Sequence, residues 1–252
     1  MNLQALQVRL VRPDEDERFQ ALMQTHHYLG SMAKIGENLR YVAIYHDEWV
    51  ALLSFSSAAL KCGARDRWIG WNFRHQYSRL NLLTNNSRFL ILPKWHYPNL
   101  ASKTLSLCLK RLPGDWQAHF GHPLLLVETF VDPARFQGTL YKAANWIYLG
   151  DTQGYSRTRQ GYSATATAPK MLFVTLLQAD ARTLLSRPNL ETPYQTGTPK
   201  LMLSAEKMQS LYDFFTDIPD PRRAEGRRHS LPTVLAISAA AVLCGMEGYK
   251  AI

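Results

Sequence analysis

Cysteine is scarce in this 252-residue chain. Cys62, Cys108 and Cys244 are too few and too far apart for a disulfide framework or a paired-cysteine metal site. Long apolar runs are missing too. The best stretch, residues 234–245, is Ala-rich and shorter than the roughly 18–20 residues a membrane span needs. Gln4, Gln7 and Arg9 interrupt the first apolar positions, so the unbroken apolar core of a signal peptide is lacking. There is no internal repeat at a period of 20–50 residues and no HxxxH or HExxH pair. These absences weaken secreted, membrane and zinc-finger readings. They leave a reducing, cytoplasmic setting and no membrane partner as the expectation. What is present suffices for a real core: 46% of residues are hydrophobic and 19% charged.

Carboxylates are in short supply in one region above all. The chain carries 29 Lys and Arg against 20 Asp and Glu, a net charge of +9. Residues 191–252 balance to zero. Residues 61–111 hold ten basic groups and one carboxylate, Asp66, and so carry a net charge equal to that of the whole protein. Aromatic residues are interleaved there, among them Trp68, Trp71, Phe73, Tyr77, Phe89, Trp95 and Tyr97. Cations neutralise phosphates and flat rings stack on unpaired bases. Arg74, Arg79, Arg88, Lys94, Lys103, Trp71 and Trp95 are therefore the expected nucleic-acid contacts, with DNA of either strandedness as the partner. The competing reading is a set of solvated or acid-paired arginines over core aromatics.

The hydrophobic pattern predicts a helix over 14–30, with Asp14 as its cap, and two strands over 39–45 and 48–56 turned at His46-Asp47. Residues 68–71 are a candidate extension of the sheet and 73–83 a short helix. Further on come a strand at 87–92, a helix at 100–112 capped by Asn99 and stopped by Pro113-Gly114, and a buried strand at 123–131. A helix at 137–149 and a last strand at 170–177 complete the core. Residues 186–204 are rich in Pro, Thr, Gly and Ser and read as a linker. Helices at 204–215 and 231–243 follow, separated by a proline-stiffened basic turn with Arg222, Arg223, Arg227 and Arg228, whose cluster is expected to touch DNA or a partner protein. The expected fold is α/β (α+β): a mixed sheet with flanking helices in residues 1–185, the linker, and a short helical segment over 205–252.

The order strand, helix, buried parallel strand, then a helix ending in Tyr148-Leu149-Gly150 resembles the GNAT acyltransferase-like fold, in which two parallel strands splay and open a cleft. Residues 5–180 also carry a specific set of motifs. These are His26-His27-Tyr28-Leu29-Gly30, Leu39-Arg40-Tyr41-Val42-Ala43, Ile69-Gly70-Trp71, the run from Asn85 to Pro93, Asn99-Leu100-Ala101-Ser102, Val127-Glu128-Thr129-Phe130-Val131-Asp132, and the run from Gly138 to Trp146. Together they resemble the domain of Druantia protein A, a component of a bacterial anti-phage defence system. The tail, with Phe214-Phe215-Thr216-Asp217-Ile218-Pro219-Asp220-Pro221-Arg222-Arg223 and Gly226-Arg227-Arg228-His229-Ser230-Leu231-Pro232, resembles the N-terminal segment associated with DDE transposases. The two resemblances imply a mobile-element or defence origin and a defence-system or transposase partner protein. No DDE triad is assignable within these residues.

Glu128 is the sharpest candidate for chemistry. It interrupts an apolar strand, so its carboxylate must be paired, protonated or placed at the open end of the sheet. A raised pKa would suit general acid or base work, whereas a structural role would have it hold Arg88 or Arg79. Asn86 would hydrogen-bond a base edge or orient a reactive group, if it is not simply a turn residue. Tyr141 and Asn145, four apart, share one face of the expected helix, and the GNAT resemblance implies a proton donor at Tyr141. His27 is the histidine expected near the cleft. No metal site is assigned: Glu128, Asp132 and Asp151 would suit Mg2+ in a nuclease, but their spacing is nonspecific. No cofactor is predicted. Acyl-CoA is implied only by the GNAT resemblance, and its basic-x-x-Gly-x-Gly/Ala turn is missing from residues 93–102.

Three functions follow from these readings. The first is a protein that binds and processes or modifies DNA through Glu128 with Asn86, Arg88 and Tyr141 nearby. The second is an acyl- or aminoacyl-transferase on a small molecule, peptide or tRNA. The third is a non-catalytic adaptor that targets DNA.

Overall fold

The computed structural model describes residues 1–31, 36–71, 75, 78–154, 157–158, 161–162, 168–195, 210–223, 225 and 227–243. The chain divides into two units, residues 1–197 and 198–252. The first unit is built on a seven-stranded mixed sheet. Its strands are β1 (Gln7–Leu10), β2 (Asn38–Tyr45), β3 (Glu48–Ser57), β4 (Leu83–Ile91), β5 (Leu126–Val131), β6 (Ile147–Asp151) and β9 (Met171–Leu176), in the spatial order β1-β2-β3-β4-β5-β9-β6. A separate two-stranded ribbon, β7 (Arg157–Thr158) and β8 (Gly161–Tyr162), lies between β6 and β9 in the chain. The helices are α1 (Asp16–His26), α2 (Gly63–Ile69), α3 (Leu100–Phe120), α4 (Thr139–Ala143) and α5 (Ala181–Ser186). The mixed sheet with flanking helices is thus the fold class the sequence implies.

Alternation along the strands sets the two faces. Tyr41, Leu53, Val127 and Phe173 face α3, which presents Leu105, Cys108, Leu112 and Trp116 at helical spacing. Their neighbours point the other way. Val42 and Leu52 meet Phe19 and Met23 of α1, while Leu126, Leu172 and Val174 meet α2 and α5. The β2–β3 hairpin turns on His46 and Asp47, both at positive φ (46° and 64°), as two-residue hairpins require.

Several expectations need correction. Residues 68–71 do not extend the sheet, because Gly63–Ile69 is α2, whose Arg65 and Ile69 are buried. The helix beginning at Leu100 does not stop at Pro113 but runs on to Phe120. An interior proline costs a helix about 3 kcal/mol, and the buried stripe that continues from Leu112 to Trp116 outweighs it. Asn99 gives no side-chain cap and enters α3 at φ 61°. The helix expected over 137–149 is only α4, and residues 147–151 form the edge strand β6. β1 and α5 were not legible at all. Much of the helix expected over 73–83 lies outside the described residues, although Leu80–Leu82 form a 3-10 turn.

In the second unit, α6 (Leu211–Phe214) is capped by Ser210, whose Oγ accepts from the Asp213 N–H at 3.1 Å, and α7 (Leu231–Leu243) follows. Residues 204–209 of the expected helix lie outside the described residues. No helix among the described residues is long and apolar enough to cross a membrane.

Candidate functional site: the cleft between parted strands

β4 and β5 are parallel neighbours for only three residues each: Leu83, Thr84 and Asn85 lie opposite Leu126, Val127 and Glu128. Beyond that the strands part. β4 goes on pairing with β3 as far as Ile91 opposite Ala51, and β5 with β9 as far as Val131 opposite Met171. The gap is a cleft of about 500 Å³ whose walls include Asn86–Ile91 of β4, Thr129–Val131 of β5, Phe136–Tyr141, the end of α1 at His26–Leu29, and Ala101 of α3.

A β-bulge shapes the β4 wall. Ser54 lies opposite Arg88 and Phe55 opposite Asn86, so Ser87 is the extra residue. Asn86 stitches the interrupted ladder. Its Nδ2 donates to Ser54 O and to Arg88 O, both at 3.2 Å, and its Oδ1 accepts from the Tyr141 hydroxyl at 2.9 Å. Thr129 Oγ1 donates to Asn86 O at 3.0 Å, taking a carbonyl that the ladder has let go. Tyr141, buried and stacked on Phe173, has its pKa pushed up to about 12 by burial, so the phenol stays protonated. Asn86 and Tyr141 therefore form a closed polar hub at the base of the cleft.

Arg88 is different. It is half-buried in the cleft wall, with Nε donating to Gly30 O at 3.1 Å and Nη1 to Ser87 O at 2.8 Å. No carboxylate among the described residues pairs with it. Burial lowers its pKa, yet a guanidinium keeps its proton at any ordinary pH. Beside it, His27 accepts the Leu29 N–H on Nδ1 at 3.1 Å, which fixes a neutral ring with its proton on Nε2. Burial, with the Arg88 charge nearby, brings the His27 pKa down to about 4. His27 lines the cleft as expected from the sequence, and there it is a neutral donor. Tyr28 has His27 stacked on it at 4.9 Å, Arg135 over its ring at 5.1 Å and Phe136 tilted against it at 5.4 Å.

Glu128 is placed elsewhere. It is fully buried, does not line the cleft, and points to the α2 side of the sheet. Its Oε2 meets Arg65 Nη1 at 2.8 Å and its Oε1 accepts from the Ala59 N–H at 2.7 Å. Arg65, equally buried, also donates to Ala59 O at 2.8 Å and reaches Asp66. Burial pushes the Glu128 pKa up, against the pull of the Arg65 charge. The carboxylate holds Arg65, not Arg88 or Arg79, and both of its oxygens are engaged, so the chemistry assigned to it from the sequence is corrected to a structural role.

The expected phosphate contacts scatter. Arg79 is 2% exposed and, with Trp71, closes the C-terminal end of α5: Arg79 Nη1 and Trp71 Nε1 each donate to Leu185 O at 2.6 Å, and Arg79 Nη2 to Pro188 O at 3.0 Å. Arg79 is thus not a surface contact, and half-buried Trp71 spends its indole N–H on α5. Lys94 pairs with Glu48 and lies over Trp95, itself half-buried against Tyr45. Lys103 stands in the first turn of α3, does not line the cleft, and has no acidic partner among the described residues. Arg74 lies outside the described residues. Asn145 is not on a helix face with Tyr141. It is exposed beyond the end of α4 at φ 59°. Asp132, Asp151 and Glu128 do not gather, and no metal-holding group of His, Cys, Asp and Glu exists among the described residues. In the second unit Arg222 meets Asp220 at 2.9 Å and Arg227 donates to Arg222 O, whereas Arg223 and Arg228 are exposed.

Sequence reasoning missed Phe136 and Arg65. Phe136 follows an Asp-Pro turn directly after a buried strand, a signal for a loop at a strand end, where binding residues concentrate. The turn is tied by Asp132, whose Oδ1 accepts from the Ala134 N–H at 3.0 Å and whose carbonyl accepts from the Phe136 N–H at 2.9 Å. Gly138 completes it at φ 69°. A Cβ there would lie 2.6 Å from Phe173 Cζ, so glycine is required.

The family model for Druantia protein DruA matches residues 1–165, and the DDE_Tnp_1-associated model matches residues 212–252. No curated protein matches the chain. Among solved structures, it is similar to the ribosomal-protein-S18-alanine N-acetyltransferase of Escherichia coli (8% identity, 69% of this chain and 95% of that one, TM-score 0.43). It is similar also to an acetyltransferase of the GNAT family from Streptococcus pneumoniae (12%, 68% and 99%, 0.42) and to the aminoglycoside acetyltransferase AAC(6')-Ib in complex with coenzyme A (14%, 71% and 98%, 0.46).

Proposed function

The chain belongs to the Druantia protein DruA family, and from that premise we propose that it is a nucleic-acid-binding protein whose cleft between β4 and β5 takes hold of a DNA strand. The DruA match and the transposase-associated segment support an origin in phage defence or mobile elements. One observation carries the binding reading: Arg88 is a half-buried cation in the wall of a cleft, without a carboxylate partner among the described residues. A desolvated, unneutralised guanidinium is costly unless an anion arrives, and a phosphate oxygen is the anion it suits best.

An acyl-CoA thioester fits these residues poorly. Cradling its diphosphate at the start of α3 needs a close, side-chain-free backbone. The segment leading there, residues 93–102, has a side chain at every position, Trp95, Tyr97 and Pro98 among them, and Asn99 occupies the left-handed position with no cap made. No step is derived through that group.

The test is equilibrium binding of labelled single- and double-stranded DNA over a series of salt concentrations. Binding should weaken steeply with salt. Arg88→Gln should lower affinity about tenfold and reduce the log–log salt slope by about 1. Arg111→Gln, which removes a cation already paired with Asp115 at 3.1 Å, should change affinity less than twofold. Equal losses in the two variants, or none in either, would remove the cleft from the reading.

A further inference from the structure

The cleft is more elaborate than attraction to a phosphate backbone requires. Its volume of about 500 Å³ falls in the range of sites that enclose a small molecule, roughly 300–1,000 Å³. Much of its wall is apolar, with Leu90, Ile91, Val131 and Leu140. Tyr28 is already covered by His27 and Arg135, but Phe136 is 51% exposed and has Tyr28 as its single ring contact among the described residues. A large ring left half open at the lip of an apolar slot is a stacking surface. The Asp132 turn and Gly138, which cannot bear a side chain against Phe173, fix the backbone that carries that ring. Inside the slot stand two donors of different kinds, the Arg88 guanidinium and the Nε2–H of a His27 ring whose Nδ1 is already occupied by the Leu29 N–H.

Resting on the nucleic-acid reading above, the geometry points to a single unpaired nucleotide, turned out of the base stack, as the occupant of the cleft. Its base lies against Phe136 and the apolar wall, its phosphate meets Arg88, and an acceptor on the base takes the His27 Nε2–H. Bases have π-faces that stack on an aromatic side chain without regard to sequence. Extruding a base is cheapest where it is mismatched or already single-stranded. The site is therefore expected to choose unpaired positions and not sequences.

The experiment uses the full chain and labelled duplexes that are either fully paired or contain one unpaired nucleotide, with parallel DNA and RNA arms to identify which strand supplies it. The unpaired site should bind about tenfold more tightly than the paired duplex in at least one arm. Phe136→Ala should erase that preference by weakening binding to the unpaired site about tenfold more than binding to the paired duplex. Phe136→Trp should retain it. Because the ring is exposed, the alanine variant keeps its fold. Equal affinity for paired and unpaired duplexes, with the Arg88 dependence intact, overturns the inference and leaves the binding reading standing. A preference that survives Phe136→Ala overturns it as well. Failure to bind any strand overturns both.

Discussion

The β4–β5 pair is closed at one end and open at the other, and the two ends treat buried charge in opposite ways. Where the strands still touch, at Asn85 and Glu128, the carboxylate is sealed against Arg65 and the Ala59 N–H. Three residues further along β4, Arg88 faces a gap with only backbone carbonyls for company. A cation and an anion locked together inside a protein hold two elements in register. A cation left without its anion is what a binding site needs. The difference lies in strand separation: Glu128 projects toward α2, where Arg65 stands ready, and Arg88 projects from a bulge into space that β5 has vacated.

Breaking the closed end should have the largest effect. Glu128→Ala leaves buried Arg65 with Asp66 as its remaining carboxylate and the Ala59 N–H unpaired, and should cost about 3 kcal/mol in a urea titration. Replacing both partners, Arg65→Met with Glu128→Leu, should recover most of that loss. If the single variant matches the parent in stability, the lock is not what joins α2 to the sheet. At the junction, Asn86→Ala removes the amide that stitches the bulge and should cost about 2 kcal/mol. It should also weaken DNA binding, because the bulge aims Arg88. At the open end, Arg88→Gln trades a desolvation cost against two hydrogen bonds to carbonyls, so it should change stability by only about 1 kcal/mol while it lowers affinity, the reverse of the Glu128 result. Finally, His27 makes the open end sensitive to acid. Its folded pKa, about 4, lies below the ordinary value of 6.5, so between these values the unfolded chain takes up a proton that the folded chain refuses. Stability should be full above pH 6.5 and fall as pH drops toward 4. His27→Gln should flatten that part of the stability–pH curve, and an unchanged slope would locate the acid sensitivity in another group.

Regular elements with strong periodicity were readable in advance. The β2–β3 hairpin, the start of α3, the buried strand β5 and α7 lie close to where their residue patterns put them. Boundaries governed by packing were not. Pro113 reads locally as a helix stop, but the contacts of Leu112 and Trp116 lie on other strands. Residues 147–151 look like the end of a helix until β9, arriving about 20 residues later, offers an edge to pair with. The cleft was foreseen in kind, as a gap between splayed strands, and Asn86, Arg88, Tyr141 and His27 do line it. Their roles were misread where local sequence hides the partner: Asn86 is spent on the bulge, and the Glu128 counter-charge comes from Arg65, 63 residues earlier.

By itself, the sequence determined that residues 61–111 would be rich in cations and poor in anions, and that an apolar strand would carry one carboxylate. Composition and alternation are local properties, and no fold can alter them. Only the tertiary structure decided which of those cations would be engaged elsewhere and which would line the cleft. Arg65 found Glu128, Arg79 found the carbonyls at the end of α5, Lys94 found Glu48 and Arg111 found Asp115. The first three partners are brought close by chain folding over distances that no sequence window spans, whereas Asp115 stands one helical turn from Arg111. Arg88 is left to the cleft because β4 bulges and β5 turns away at that point.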